Sequence, residues 1–145
     1  KYGIIFDREY SSKSYIRFTT KYMNSVIPRN NDYSYGWKNG YGFMYEFEIL
    51  SNYKMQCVAT ISDTSNVKCI DLYKLTQSNY KKLNIVHKNA EMPNQWARVF
   101  RSNVILNKEQ IQNGLEECED SLVKHLNKLF NEEIPAFEKY IQENI

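Results

Sequence analysis

The sequence predicts an α+β domain: an antiparallel sheet of four to five strands, with short helices and a long C-terminal helix packed on one face. Residues 42–61 alternate between apolar and polar side chains on both sides of Ser51 and Asn52, which is typical of a β-hairpin. Residues 111–129 carry apolar side chains at helical spacing, which predicts a helix with one buried face. A chain of 145 residues, 42% of them hydrophobic, can enclose one core with these elements.

Two further stretches have the period of a strand. Residues 14–19 place Ile16 and Phe18 on one face and Tyr15 and Arg17 on the other. Residues 96–106, which begin with a tryptophan, also read as a strand. In the second stretch we expect Trp96, Arg98 and Phe100 to share one face of the sheet. Together with the hairpin, these stretches supply four strands.

Short helices are predicted where capping residues precede apolar ones. Thr19 or Thr20 can cap a helix that ends before Pro28. A second short helix can follow residues 62–66, which are rich in cap formers.

The C-terminal helix is the best specified element. Asn107 can cap its first turn, and Gln110 can complete a capping box. The apolar stripe that follows consists of Ile111, Leu115, Cys118, Leu122, Leu126 and Leu129. We interpret this stripe as core, with a coiled-coil or dimer seam as the alternative. Pro135 interrupts the pattern and predicts a separate short helix that includes Ile141.

We expect residues 1–145 to form a single domain, in which residues 1–13 are a linker or an extra strand. The chain opens on Lys1 rather than Met, which suggests a piece cut from a longer protein whose N-terminal neighbour is missing; the resemblance described below implies that this piece is a C-terminal accessory domain. Residues 77–95 are ambiguous, with a weak edge strand near Leu83 as one alternative. No apolar run approaches the roughly 20 residues that span a bilayer, so we expect a cytoplasmic protein with no membrane partner.

The cysteine pattern argues against a zinc site. Cys57, Cys69 and Cys118 form no C-x-x-C pair, and His87 and His125 stand far from one another. We therefore expect three buried thiols in a reducing cytoplasm.

The net charge of +2 conceals an asymmetry. Through Lys108 there are sixteen Lys and Arg against eight Asp and Glu, which gives +8; from Glu109 onward three against nine gives −6. A basic body attracts phosphate, which favours a nucleic-acid partner. Alternatively, the acidic terminal helix lies against the basic body and neutralises it.

Glu46 and Glu48 are two residues apart on a predicted strand and therefore share a face. Such a pair could in principle hold Mg²⁺, but no third acid lies at a suitable spacing. We interpret both residues as part of the solvated outer face of a half-buried sheet, and predict no metal ligand here.

Basic side chains interleaved with aromatic ones form the best candidate binding surface. In this group Tyr15 and Trp96 can stack on bases while arginines contact phosphates. The predicted nucleic-acid-binding residues are Arg17, Lys21, Arg29, Trp37, Lys38, Arg98 and Arg101. The alternative is that the lysines only keep the domain soluble and the aromatic side chains only pack. Trp37 belongs to a polar, turn-rich stretch, so we expect its ring to be exposed in a loop.

Three segments resemble the C-terminal region of uncharacterised bacterial proteins of the PD-(D/E)XK nuclease superfamily. They read YIRFTTKYMNSVIP, GWKNGYGFMYEFEILSNYKMQCVATISD and WARVFRSNVIL, and an acidic helix follows the last. The matching positions are Pro28, Gly36-Trp37, Tyr45-Glu46-Phe47 and Trp96. The similarity spans most of residues 14–145, and its motifs are mainly packing patterns.

The resemblance implies a role without catalysis. In the superfamily, carboxylates and a lysine hold a divalent metal that activates water for phosphodiester cleavage. Here no acidic residue is followed two positions later by Lys, so no catalytic or metal-binding residue can be carried over. The resemblance therefore implies an accessory domain, with no cofactor of its own, that helps position nucleic acid or a nuclease core. Mg²⁺ would belong to that N-terminal core, and the whole protein would then be a metal-dependent nuclease.

The expected partners are accordingly DNA or RNA and the nuclease domain. The alternative is a protein-interaction or dimerisation module that uses the C-terminal helix or the Trp37 loop, and this alternative includes a homodimer.

Overall fold

A computed structural model describes residues 3–8, 11, 15–30, 37, 40–62, 65–83 and 96–145. Within these residues, five antiparallel strands form one sheet in which each strand lies beside its neighbours in the chain. The strands are β1 (Ile4–Asp7), β2 (Tyr15–Thr20), β3 (Phe43–Ile49), β4 (Met55–Ile61) and β5 (Ala97–Arg101). The α+β prediction is confirmed. Residues 1–13 were expected to be a linker or an extra strand, and they contain the strand β1.

Helices pack on one face of this sheet. They are α1 (Lys21–Val26), α2 (Val67–Ser78), α3 (Lys108–Asn113), α4 (Leu115–Lys128) and α5 (Ile134–Asn144), and a π-helical segment (Leu129–Glu133) joins the last two. No helix in the described part of the chain is long and apolar enough to cross a membrane. The weak strand near Leu83 was expected to extend into residues 84–95, which lie outside the described residues.

The predicted caps are confirmed. The Thr20 hydroxyl accepts a hydrogen bond from the Met23 amide at 3.1 Å and begins α1. Asn66 accepts from the amides of two residues in the first turn of α2. Asn107 and Gln110 bond to each other's backbone in a complete capping box. Satisfying these amides stabilises each helix start by about 1 kcal/mol.

The terminal helical region differs from the prediction in two places. Gly114 has φ of 95° and separates α3 from α4, so the helix predicted from Asn107 is interrupted. Further on, α5 begins at Ile134 beside Pro135 as predicted, but a π-helical segment joins it to α4, so the chain does not break before it. Proline removes one helical hydrogen bond and crowds the carbonyl four residues earlier, and the wider π-helical segment lies at that carbonyl.

The core lies between the sheet and the terminal helices, on what we call the helix face. Tyr45 is fully buried at its centre, with its ring centroid 5.2 Å from that of Phe18 and 6.4 Å from that of Phe137. In the predicted apolar stripe, Cys118 and Leu129 are buried, and the members packed against the core are Ile111, Leu122 and Leu126. The side chain of Leu115 lies outside the described part. The three cysteines are buried and free, as predicted.

A β-bulge in β5 overturns the expected alternation of that strand. Ala59 pairs with Phe100, whereas the next residue of β4, Thr60, pairs with Arg98. The two partners on β5 are therefore not consecutive, and β5 has one more residue than β4 at this point. Ala59 and Thr60 are consecutive and face opposite sides of the sheet, and their partners therefore do so too. Phe100 packs on the helix face, 4.9 Å from Phe137, while Arg98 lies on the other side. The prediction that these two residues share a face was wrong.

Candidate nucleic-acid interface on the polar face of the sheet

The side of the sheet opposite the helices, which we call the polar face, contains a shallow pocket of about 330 Å³. We refer to it as the aromatic pocket. Its lining consists of Tyr15, Arg17, Trp37, Glu46, Thr60, Trp96 and Arg98. Three of the seven predicted site residues therefore come together here, along with both aromatic residues that were expected to stack on bases.

Strand register assembles this pocket. Arg17 on β2 lies opposite Glu46 on β3, and Thr60 on β4 lies opposite Arg98 on β5. Because side chains alternate between faces, these paired positions all project to the polar face. Neighbouring strands thus place two arginines and a carboxylate around one depression.

Two ion pairs lie at the base of the polar face. Arg17 Nε donates to Glu46 Oε1 at 2.6 Å, and Arg98 Nη2 donates to Glu48 Oε2 at 2.6 Å. Each carboxylate also accepts a bond from a polar side chain of β4. The expectation that Glu46 and Glu48 face solvent was wrong, since they are 7% and 3% exposed. A buried carboxylate is tolerated only when it is paired and hydrogen-bonded, which these contacts provide.

The ion pairs restrict what the two arginines can offer a ligand. The Arg17 side chain is 17% exposed, and its guanidinium also lies 4.8 Å from the Tyr15 ring centroid. The Arg98 side chain is 46% exposed, and a guanidinium has five N–H donors, of which Glu48 occupies one. Arg98 can therefore contact a ligand, while Arg17 mainly supports the Tyr15 ring and holds Glu46.

Two tryptophans form one wall of the aromatic pocket. Trp37 is only 4% exposed and meets the Trp96 ring edge-on, with centroids 4.8 Å apart. The prediction of an exposed Trp37 was wrong, because its ring is the support for Trp96 and not a free surface. Trp96 itself is 44% exposed, and Tyr15 is 37% exposed. Both rings can therefore offer area to a planar ligand.

Trp96 also has an unusual backbone conformation. Its φ is 50°, in the left-handed region that a bulky side chain rarely adopts. Such a conformation costs about 1–3 kcal/mol and persists only where the surrounding structure imposes it. Strain at an exposed aromatic residue beside a pocket is typical of a functional position.

The other predicted site residues lie elsewhere. Lys21 lines a separate pocket between α1 and α5 on the helix face. Arg29 is exposed with its guanidinium 5.3 Å from the Tyr41 ring centroid. Lys38 lies outside the described residues. Arg101 lines a groove of about 670 Å³ that is described next.

That groove runs between β5, α5 and the chain that follows α2. Its basic members are Lys81, Lys82, Arg101 and Lys139, and its walls include Phe100, Phe137 and Tyr140. Burial, and secondarily the charge of Arg98, lowers the pKa of Arg101, while Glu48 opposes that shift. Arg98 and Arg101 are three residues apart, or about 10 Å along the strand. The groove lies on the α5 side of β5, whereas the aromatic pocket lies on the polar face, so the two are separate surfaces.

Metal ligands were not predicted. In the described ranges, no three His, Cys, Asp or Glu side chains are grouped so that they could hold a metal ion. The carboxylates that share a strand, Glu46 and Glu48, are bonded to arginines.

Sequence reasoning missed one buried acid, Glu138. It is 4% exposed and joins three elements, because its Oε1 accepts bonds from Thr20 Oγ1 at 2.6 Å and from Tyr45 OH at 3.1 Å. A signal was available: Ile134, Glu138 and Ile141 have helical spacing, so the acid lies within the apolar side of α5. A charge at such a position requires partners inside the fold.

Comparison of the chain with protein-family models, with curated proteins and with solved structures finds no match. The nuclease-superfamily resemblance therefore remains a prediction. What the molecule offers for a functional argument is the geometry of its pockets.

Proposed function

We propose that this chain is a non-catalytic module that holds single-stranded nucleic acid on the polar face of its sheet. The observation that supports it is the aromatic pocket, where the partly exposed rings of Tyr15 and Trp96 lie beside the exposed guanidinium of Arg98. In this proposal the rings stack on bases and Arg98 contacts the backbone. The role beside a nuclease core is part of the proposal and rests on the sequence resemblance alone.

The shape of the pocket favours a single strand over a duplex. Stacking on a side chain requires a base whose face is free, and bases inside a duplex have none. The rings also lie in a concave site on the sheet, and not on a helix or loop that projects far enough to enter a groove. DNA and RNA remain equally compatible with this geometry.

The ion pairs predict weak salt dependence. Arg17 and Arg98 are neutralised by Glu46 and Glu48, so few counterions leave the nucleic acid on contact. With one or two phosphate contacts, a fourfold rise in salt is expected to weaken binding by only about fourfold. Stacking, and not charge, then supplies most of the affinity.

Replacing Tyr15 or Trp96 by alanine is expected to weaken binding of a labelled oligo-dT or oligo-U strand by about 5- to 150-fold. Each base stacked on an aromatic side chain contributes about 1–3 kcal/mol, which corresponds to that range. Fluorescence anisotropy at low and moderate salt measures the effect.

Tyr53→Ala is the matched control, since Tyr53 is 50% exposed in the β3–β4 turn, away from the pocket. An equal loss in Tyr53→Ala, or no binding by the unaltered protein even at low salt, would contradict the proposal.

The protein-interaction alternative stays a prediction. Sedimentation at increasing protein concentration tests for self-association. The effect of replacing Trp37 on association and on nucleic-acid binding can be compared with the effects of replacing Arg98 and Arg101. Because Trp37 is buried against Trp96, its replacement acts on nucleic-acid binding through lost support of that ring. The alternative would be favoured if the protein self-associates with increasing concentration, still does so when Arg98 or Arg101 is replaced, and binds no nucleic acid.

A further inference from the structure

A second pocket, of about 580 Å³, lies between α1 and α5 on the helix face. We call it the Glu138 pocket. The polar side chains among its lining residues are Thr20, Lys21, Tyr22, Glu138, Lys139 and Gln142. None of these residues belongs to the aromatic pocket, so the two sites are separate.

Glu138 has one oxygen engaged and one available. Oε1 accepts bonds from Thr20 and Tyr45, whereas Oε2 has no hydrogen-bond partner among the residues that the structure describes. With both donors directed at Oε1, a proton on this carboxyl group must lie on Oε2. The side chain is 4% exposed and lines the pocket, so the outward group is Oε2 or Oε2–H.

The remaining polar groups of the pocket are mainly donors. Lys21 and Lys139 each carry an ammonium group, and Tyr22 and Gln142 supply an O–H and an amide N–H. The Lys21 amide donates to the Gly3 carbonyl at 2.8 Å, and the aliphatic part of the Lys21 side chain lies so close to Gly3 that a Cβ there would collide with it. The absence of a side chain at Gly3 therefore leaves room for the Lys21 side chain to lie beside it.

We propose that the Glu138 pocket binds a small anion, a carboxylate or a phosphate, to which Glu138 donates from Oε2–H while Lys21 and Lys139 balance its charge. The described lining contains two lysines and no acidic residue besides Glu138, so it offers more to an anionic oxygen than to a cation. The Lys139 ammonium also lies 3.7 Å from Glu143, in an exposed ion pair that leaves its other N–H donors available. The inference is independent of the proposed nucleic-acid function, because it uses no residue of the aromatic pocket.

Relative to a carboxyl group in water, the surroundings of Glu138 favour protonation. Burial raises the pKa of Glu138, and the bonds from Thr20 and Tyr45 partly oppose this. The groups that face it are Thr20, Tyr45, Lys21, Tyr22, Lys139 and Gln142. Burial, and then Glu138 in its ionised form, raises the pKa of Tyr22. The Tyr22 hydroxyl is a donor at neutral pH with or without that shift. Binding of the anion therefore takes up a proton at pH values above the pKa of Glu138.

The test is a titration of the protein with sulfate, which keeps its charge across the pH range used, followed by NMR of the Gln142 side-chain amide and the Lys21 and Lys139 backbone amides. We expect saturable shifts at these positions. Affinity should weaken by up to about tenfold per pH unit as the pH rises past the pKa of Glu138. Acetate and inorganic phosphate as further probes distinguish a carboxylate from a phosphate site, and the phosphate data are compared at pH values where its own protonation state does not change.

Glu138→Gln separates this proposal from a merely structural role. Its amide oxygen can accept from Thr20 and Tyr45 while its N–H₂ donates into the pocket, so binding should persist and lose its pH dependence. Glu138→Leu should bind at least tenfold more weakly. If Glu138→Gln abolishes binding, or keeps the pH dependence of the unaltered protein, the proposal is wrong.

The lysines give a second, milder test. Lys21→Gln and Lys139→Gln should each weaken sulfate binding by about two- to fivefold, since both ammonium groups are solvated. Gly3→Ala should have a similar effect by displacing the Lys21 stem. Lys124→Gln, on the exposed side of α4, is the matched control. Equal effects in all four variants, or no shifts at the pocket with any probe, would overturn the anion site.

Discussion

Replacing Glu46 by leucine is expected to lower the free energy of unfolding by about 3 kcal/mol, because the Arg17 guanidinium loses its carboxylate partner in a largely buried position. Arg17→Leu should lower stability by a similar amount, since it leaves the Glu46 carboxylate buried. Among the described side chains, the Thr60 hydroxyl would then be its remaining hydrogen-bond donor. Urea denaturation of each variant measures both values.

The double variant Arg17→Leu/Glu46→Leu decides whether the pair acts as a unit. Two apolar side chains of similar volume can replace a buried ion pair at little cost, so most of the lost stability should return. With a loss of about 3 kcal/mol in each single variant and about 1 kcal/mol in the double variant, the coupling free energy should be about 5 kcal/mol. Strictly additive losses would show that the ion pair contributes little and that the leucines disturb packing instead.

Phe137→Ala is expected to lower stability by about 3–5 kcal/mol, which corresponds to a fall in Tm of roughly 10–15 °C. Phe137 is 2% exposed, and its ring lies within 6.4 Å of those of Phe100 and Tyr45 between the sheet and α5. Truncation removes contacts that hold the helix on the sheet and leaves a cavity that the neighbouring strands cannot fill.

Scanning calorimetry of Phe137→Ala beside Val123→Ala tests this. Val123 is 50% exposed on α4, so its truncation should change stability by less than about 0.5 kcal/mol. Comparable losses in the two variants would mean that α5 is not a major part of the core.

Local patterns in the sequence were enough to predict most of the fold. The hairpin follows from strict alternation in β3 and β4, and the helix starts follow from Thr20, Asn66 and Asn107, because cap chemistry acts within three residues. The break at Gly114 was missed because glycine within a helical pattern is often tolerated. Continuation of the helix up to Pro135 was missed because a π-helical segment leaves no clear signal in composition.

The candidate site could be predicted only in part. Alternation along one strand predicts that Tyr15 and Arg17 share a face, and Arg98 is predicted from its position two residues after Trp96. Site residues that belong to the same strand could therefore be predicted. The pairing of Arg17 with Glu46 depends on the register between β2 and β3, which are far apart in the chain. The bulge that separates Arg98 from Phe100 depends on tertiary packing as well. Sequence patterns therefore found the basic residues but not the acids that neutralise them.

The hydroxyl of Thr20 has a wider consequence. The same oxygen accepts the capping bond of α1 and donates to Glu138, a residue 118 positions later in the chain. Opening either contact removes support from both, so α1 and α5 should come apart in a single step and not fray one at a time. A single atom thus couples two segments that are far apart in the chain.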